Sequence, residues 1–320
     1  MLKSEARDPE TDYFSLAVAP HGYRWWYADI VSDCGGVGIV IIGFIGSVFS
    51  PYYAAARRRG HGQAEQHCAL NAIVYRPGRK AWAMTERTSL AALPHGVQIG
   101  PSSMRWEDDA LVIQVNERCN PWPKQWRGEL RITPEALQTR AYALHSNAKH
   151  WWWPVAASAR AEVDLISPAL EFSGNAYIDT NFGDEPLETG FSRWDWSRAE
   201  RLPTSHKAPA LVYRAWQRDQ QIRQLALAWN AEQKTLVETE VPEAQKVAPS
   251  GWRVARPVAL EQPVTTVRTL EDTPFYVRSL LHCGPQGFMH ESLDLDRFAS
   301  RWVQTLLPFR MPRRAFRFPD

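Results

Sequence analysis

Apolar and polar positions along the chain alternate mostly with a period of two, which predicts a succession of short strands. GYRWWYADIVSD (22–33) sets Tyr23, Trp25, Tyr27 and Asp29 on one strand face and Arg24, Trp26, Ala28 and Ile30 on the other. VGIVIIGFIGSVF (37–49) is rich in β-branched residues and punctuated by glycine. HCALNAIVYR (67–76) and AWAMTERT (81–88) flank PGRK, a good hairpin turn. Further strands are expected over 97–118, with Glu107–Asp109 as their turn, over 127–137 and at HWWWP (150–154). A second series opens near Ala161 and runs through AEVDLISP, LEFSGNAYIDTNFG, GFSRWDWSRAE, PALVYRAWQ, QIRQLALAWN, TLVETEVP, WRVARPVAL and PFYVRSLLHCG. Its spacing is roughly the 8–12 residues of barrels and sandwiches. Helical spacing is confined to LDLDRFASRWVQTLLP (293–308), through Leu295, Phe298, Trp302 and Leu306, and to a short piece over Tyr52–Arg59. The expected class is mainly β with few short helices. Two β-barrel-like halves, 1–160 and 161–320, are expected to part in the proline-marked stretch between Trp153 and Pro168. His150–Trp153 then lies close to their junction, and such interfaces commonly hold pockets.

A chain of 320 residues buries a large core, and its 22% charged and 44% hydrophobic residues describe an ordinary globular protein. The formal net charge of +2 argues against a nucleic-acid partner. Fifteen tryptophans are a marked excess and fit a β-rich body with aromatic cavities. Cys34, Cys68, Cys119 and Cys283 are scattered, which suits neither a disulfide scaffold nor a zinc site, and a reducing cytoplasm is expected. His61 with His67, and His282 with His290, lack metal-ligand spacing, so no metal is expected. MLKSEARDPETDYF lacks the apolar stretch of a secretory leader. The apolar run 35–53 is interrupted by Gly43 and Gly46 and falls short of the roughly 20 residues of a spanning helix. Two readings of it stay open. One is a buried strand followed by an exposed basic turn at Arg57–Arg59. The other is a membrane-surface hook with Phe49, Tyr52 and Tyr53 at the lipid interface and the arginines on anionic headgroups. Arg310, Arg313, Arg314 and Arg317 read as a solvated basic tail. GGVG (35–38) opens an apolar run rather than a helix, so it is no phosphate loop.

The chemistry concentrates in KHWWWPVAA (149–157) and SGNAYIDTNFGDEPLETGFSRWDWSRA (173–199). There Asp179 stands in sequence among Trp151, Trp152, Trp153, Tyr177, Trp194 and Trp196, with His150 nearby. Burial keeps a carboxylic acid protonated, and indole faces attract positive charge, so the set suits the making of a carbocation. Period-two geometry places Asn175, Tyr177, Asp179 and Asn181 on one face. Plainer readings stand beside this one. A strand aspartate is commonly a turn or cap carboxylate, a histidine commonly a satisfied core residue, and strand aromatics commonly packing. Asp184 and Glu185 in GDEP read as a turn with a supporting hydrogen-bond role, and Asp29 is an alternative acid from the N-terminal half.

YRWWYADIVSDCGGVGIVIIGFIGSVFSPYY, HCALNAIVY, AWAMTER, the 173–199 segment and HESLDLDRFASRWVQTLLPFRMPR together resemble the bacterial carotenoid 1,2-hydratases, or hydroxyneurosporene synthases. The resemblance runs from about Tyr23 to Arg314. It implies a pair of lipocalin-like β-barrels and a cofactor-independent hydro-lyase. Water would be added across the terminal C1=C2 bond of acyclic carotenoids such as neurosporene or lycopene, in spheroidene or spirilloxanthin pathways of photosynthetic bacteria. It also implies peripheral association with the cytoplasmic side of the inner or photosynthetic membrane. The family's implicated positions, a His and a Trp two apart and a Tyr and an Asp two apart, fall on His150 with Trp152 and on Tyr177 with Asp179. Asp179 is then expected to protonate C2, leaving a tertiary cation at C1 that water captures. His150 either orients that water or hydrogen-bonds Asp179. Trp26, Trp151, Trp153, Trp194 and Trp196 are expected to line the substrate. Two other functions use similar features: a non-catalytic carotenoid or lipid carrier, and a lipocalin-like cyclase of a prenylated substrate that excludes water from the cation. Hydration is the favoured reading, because a carrier gives no reason for an acid and a histidine among the aromatics.

Overall fold

The computed structural model describes residues 3–119, 122–203, 205, 207–316 and 318. Period-two alternation becomes antiparallel strand almost everywhere it occurs, giving a 14-stranded sheet, a seven-stranded sheet and a two-stranded ribbon. The chain divides into two compact units, and neither is continuous in sequence. The larger comprises 3–143, 149–186 and 305–320 and carries the 14-stranded sheet. The smaller comprises 144–148 and 187–304 and carries the seven-stranded sheet, whose central members include Phe191–Ala199, Pro209–Gln217 and Gln286–Asp294.

The boundary expected near residue 160 therefore falls within a strand rather than a linker. His150–Ser167 runs 18 residues and pairs with Leu170–Gly183 on one side and Gln125–Pro134 on the other. Pro154 does not break this strand because it sits in a register shift between Trp153 and Ala156. There the ladder is already interrupted, so the missing proline N–H costs no hydrogen bond. The carbonyl of Val155, also in the bulge, is taken by the backbone N–H of Gln138 at 2.8 Å.

The larger sheet curls until its two ends approach. Gly43 lies in the Gly38–Ile45 strand, and a Cβ added there would stand 2.9 Å from Met104 Sδ and 3.4 Å from Ile99 Cδ1, on strands from the other end of the sheet. A buried Arg87–Glu117 ion pair at 2.9 Å spans the same gap. The inside of the curl is filled rather than hollow. Tyr13 and Phe14 pack there against Trp26, Trp106 and Trp153, with ring centroids 5.4–6.4 Å apart across these contacts.

Gly38–Ile45 pairs on both sides, with Tyr23–Ser32 and Cys68–Arg76, so the buried-strand reading of the apolar run holds. Ser50 caps the helix Pro51–Arg58 through a hydrogen bond from Tyr53 N, and Pro51 occupies the first turn. Tyr53 is buried and donates to the Gly22 carbonyl at 2.7 Å, which removes it from any lipid interface. No helix among the described residues is long and apolar enough to cross a membrane. The helix expected over 293–308 starts later and divides: Leu295–Ala299 is capped by Asp294, and Ser300, in extended conformation, separates it from Arg301–Leu306. The basic C-terminal residues are only partly tied down: Arg310 and Arg314 are exposed, as in a solvated tail. Arg313–Arg314 adds a parallel strand to Arg79–Arg87, and Arg313 reaches the buried Glu86 at 2.7 Å. Arg310 stacks over Trp82 at 4.2 Å, while Arg317 lies outside the described residues.

Candidate functional site

Tyr23–Ser32 and Leu170–Gly183 are antiparallel neighbours, in a register that sets Tyr27 opposite Asp179 and Asp29 opposite Tyr177. Directly opposed residues point to the same side of a sheet. Two Tyr-x-Asp triplets, YAD at 27–29 and YID at 177–179, thus interleave into one patch with each aspartate facing the other's tyrosine. Tyr27 Oη donates to Asp29 Oδ2 at 3.0 Å, and Tyr177 Oη donates to Asp179 Oδ2 at 2.9 Å. The tyrosine rings are 6.2 Å apart in an edge-to-face arrangement. Both carboxyls are nearly sealed from solvent, Asp29 at 1% and Asp179 at 4% exposure.

Asp179 also accepts a hydrogen bond from Trp152 Nε1 at 3.0 Å. The bulge at Pro154 and Val155 lies directly opposite Asp179, between the pairs Trp153–Thr180 and Ala156–Ile178. Bulges re-aim neighbouring side chains, and this one flanks the indole that reaches the carboxyl. An indole N–H only donates, so Oδ2 acts as an acceptor toward two groups at once. A proton on this acid therefore belongs on Oδ1. Once that proton leaves, the carboxylate that forms finds two donors already in place, each worth roughly 1.5–3 kcal/mol to a charged acceptor. Burial foremost, then the charge and hydrogen bond of Asp179, push the Tyr177 hydroxyl well above the usual phenol range, so it remains a donor.

His150 stands on the same face, two residues before Trp152, and is held at both ring nitrogens. Nδ1 is 3.0 Å from Tyr23 Oη, and Nε2 is 3.3 Å from Glu185 Oε1. Lys149 Nζ binds the other Glu185 oxygen at 2.9 Å. Burial pushes the Glu185 carboxyl up, but the Lys149 hydrogen bond and the His150 and Lys149 charges outweigh it and hold it below the ordinary value. An ionised Glu185 only accepts, which places a hydrogen on Nε2. The Tyr23 ring stacks on His150 at 5.8 Å and on Trp25 at 5.0 Å. Gly183 is required by this packing: a Cβ there would meet Tyr23 Cε1 at 2.8 Å and His150 Nδ1 at 2.9 Å.

The structure thus brings Asp179, Tyr177 and Trp152 into direct hydrogen-bond contact and sets His150 beside them in a Tyr23–His150–Glu185 chain. Glu185 takes the supporting role read from GDEP, and the Asp184 backbone N–H binds the Lys149 carbonyl at 3.0 Å. Three of the tryptophans expected to line the substrate lie on the reverse face of the larger sheet. Trp26 and Trp153 are both paired with Thr180, one residue out of phase with Asp179, and so point into the filled inside of the curl. There Trp26 Nε1 donates to the Tyr13 carbonyl at 2.6 Å, and Trp153 Nε1 to the Gln138 carbonyl at 2.7 Å. Trp151 shares that reverse face and stacks on Phe182 at 6.3 Å. Trp194 and Trp196 belong to the smaller unit, where Trp194 packs edge-on against Tyr213 at 5.3 Å.

The aromatics that share the face of Asp179 include Tyr23, Trp25, Tyr27, Tyr142, Trp152 and Tyr177. Four of these, Tyr23, Trp25, Tyr27 and Tyr142, escaped the sequence-based site. The alternation of residues 23–29 carried the signal for three of them, and only the strand register was lacking. Among the described residues no group of His, Cys, Asp and Glu is arranged to hold a metal ion.

Residues 41–318 match the family model described as Carotenoid hydratase CrtC. The chain is 44% identical over 316 residues to an acyclic carotenoid 1,2-hydratase of Thiocapsa roseopersicina, covering 96% of this chain and 76% of that one. It is 39% identical over 312 residues to the acyclic carotenoid 1,2-hydratase of Rubrivivax gelatinosus, covering 94% and 76%. Among solved structures, an AttH protein of Nitrosomonas europaea superposes with a TM-score of 0.55 at 12% identity, over 91% of this chain and 98% of the other. CghA with Sch210972 gives 0.50 at 10% identity, over 86% and 89%. Identities that low speak to fold alone, and they agree with the mainly β class. With the family model spanning most of its length and two relatives well above 30% identity, the chain belongs to the carotenoid hydratase CrtC family.

Proposed function

We propose that this protein is a hydratase that adds water across the terminal C1=C2 bond of an acyclic carotenoid, with Asp179 as the acid. The observation that carries the reading is the buried Asp179 carboxyl, with Trp152 and Tyr177 both donating to Oδ2 on a face rich in aromatic rings. An isolated alkene is a very weak base, so its protonation needs an acid held against carbon and away from bulk water. Asp179 delivers the Oδ1 proton to C2. The two π electrons form the new C–H bond, C1 becomes a tertiary cation, and the carboxylate left behind is held by Trp152 and Tyr177.

The ring faces of Trp25, Tyr27 and Trp152 stabilise the cation by about 1–2 kcal/mol each where water is excluded. Water then bonds to C1 through oxygen and loses one proton, giving the tertiary 1-hydroxy carotenoid. The sum is addition of H and OH with no change in redox state. The chain of Tyr23, His150 and Glu185 keeps the imidazole fixed beside Trp152, which suits His150 to positioning the aromatic wall and the water rather than to protonating carbon. Such an apolar substrate is met at a membrane surface, in keeping with peripheral attachment.

Incubation with lycopene or neurosporene in liposomes made up in oxygen-18 water tests the reaction. A 1-hydroxy product carrying one heavy oxygen is expected by mass spectrometry. Carotenoid that is bound but chemically unchanged would support a carrier instead, and a ring-closed product without label a cyclase.

A further inference from the structure

Hydration also requires a base: the water that bonds to C1 must give up a proton, and a second carboxylate can take it without waiting on the one that has just protonated C2. Asp29 is the second buried carboxyl of the same patch, held by Tyr27 Oη at 3.0 Å and standing opposite Tyr177. Asp29 and Asp179 occupy a diagonal of the strand pair, which separates such positions by roughly 7–8 Å.

We propose that Asp29 is the catalytic base of the hydration, taking the proton from the water that attacks C1, and that the two Tyr-x-Asp triplets form one acid–base unit. This rests on the assignment of Asp179 as the acid. One proton shared by the two carboxyls satisfies both roles at the start: Asp179 carries it and Asp29 is ionised. Asp179 gives its proton to C2, water bonds to C1, and the surplus water proton moves to Asp29. Tyr177 closes the cycle. Its hydroxyl donates to Asp179 and it stands opposite Asp29, so it gives its own proton to Asp179 as it receives the one from Asp29. After a turnover the patch is unchanged and the substrate has gained H at C2 and OH at C1. The electrostatics of Tyr177 agree with this placement, since the Asp29 charge also raises its hydroxyl, behind burial and Asp179.

The test uses Asp29→Asn and Asp179→Asn in the full chain, with lycopene in liposomes prepared in deuterium oxide enriched in oxygen-18. Asp29→Asn still deuterates C2, but the cation is no longer captured and returns to alkene by losing a C2 hydrogen. Its hydroxylated product is expected to fall by roughly 10²–10⁴-fold, the usual contribution of a general base. Recovered lycopene meanwhile gains deuterium at C2. Asp179→Asn is expected to lose both hydration and exchange. Hydration by Asp29→Asn within threefold of wild type would overturn the proposal, as would a folded Asp29→Asn that loses exchange together with hydration.

If Asp29→Asn does not fold, Tyr27→Phe removes only the hydroxyl that holds Asp29. A roughly tenfold loss of hydration with exchange retained is then expected, and unchanged hydration would overturn the assignment. Exchange and hydration both persisting in Asp179→Asn would instead remove the acid on which the proposal rests.

Discussion

Replacing Tyr177 by Phe keeps the ring and removes only the hydroxyl bonded to Asp179 Oδ2, and with it both a donor to the carboxylate and the relay that returns the proton from Asp29. That bond, at 2.9 Å, is made to a carboxylate that carries full charge only after proton transfer. A hydrogen bond to a charged group contributes roughly 1.5–3 kcal/mol, and each 1.36 kcal/mol is tenfold in rate, so the lost donor alone should lower turnover about 10- to 150-fold, and the lost relay adds to that. Because the gain is confined to the charge-separated state, kcat should carry the loss and KM should change little. Trp152→Phe removes the other donor to the same oxygen and should cost a similar factor. The double variant should fall short of the product of the two, since both donors serve one acceptor. The assay is the initial rate of 1-hydroxy product in liposomes over a range of carotenoid loading, with thermal unfolding to confirm that each variant is folded. A folded Tyr177→Phe enzyme whose saturating rate stays within twofold of wild type would refute the reasoning.

Three further outcomes follow from the geometry. Gly183→Ala forces a methyl against Tyr23 and His150, contacts of 2.8 and 2.9 Å. It should destabilise the protein by about 1–3 kcal/mol in denaturant unfolding and displace the imidazole, lowering turnover as well. Trp26→Ala empties part of the filled curl and should cost about 3–5 kcal/mol of stability, whereas Trp25→Leu, on the face of Asp179, should reduce turnover more than stability; chemical unfolding alongside initial rates distinguishes them. His290 is buried between Ser197 and Ser292, and burial first, then the charges of Arg193, Arg256 and Arg214, lower its value to about 3. Its neutral form is therefore the native one, and the unfolded chain takes up the proton first. Stability should drop as pH falls from about 6.5 toward about 3, and His290→Gln should flatten that limb of a melting-temperature profile.

The strand content and the core of the site were legible in the sequence because both depend on short-range periodicity. Alternation alone groups Tyr177 with Asp179, and separately Tyr23, Trp25 and Tyr27 with Asp29. The pairing of those two strands was not legible, since register is a long-range choice that brings together residues some 150 positions apart. Indole density misled even though the alternation was legible: Trp151 and Trp153 flank Trp152 in sequence, yet a period of two sends both to the reverse face. Proline misled as well. Pro154 reads as a breaker between domains, but the strand absorbs it in a bulge directly opposite Asp179. The discontinuous units follow from that strand, which keeps 149–186 with the N-terminal sheet while 144–148 leaves it.

The most direct measurement is the rate at which Asp179→Asn, folded and loaded with lycopene in deuterium oxide, forms 1-hydroxy product with deuterium at C2. With Asp179 as the proton donor, the wild-type product carries one deuterium there, and the variant should be slower by at least about 10²–10⁴-fold. A folded Asp179→Asn enzyme forming the same C2-deuterated product at a rate near wild type would contradict the assignment of Asp179 as the acid.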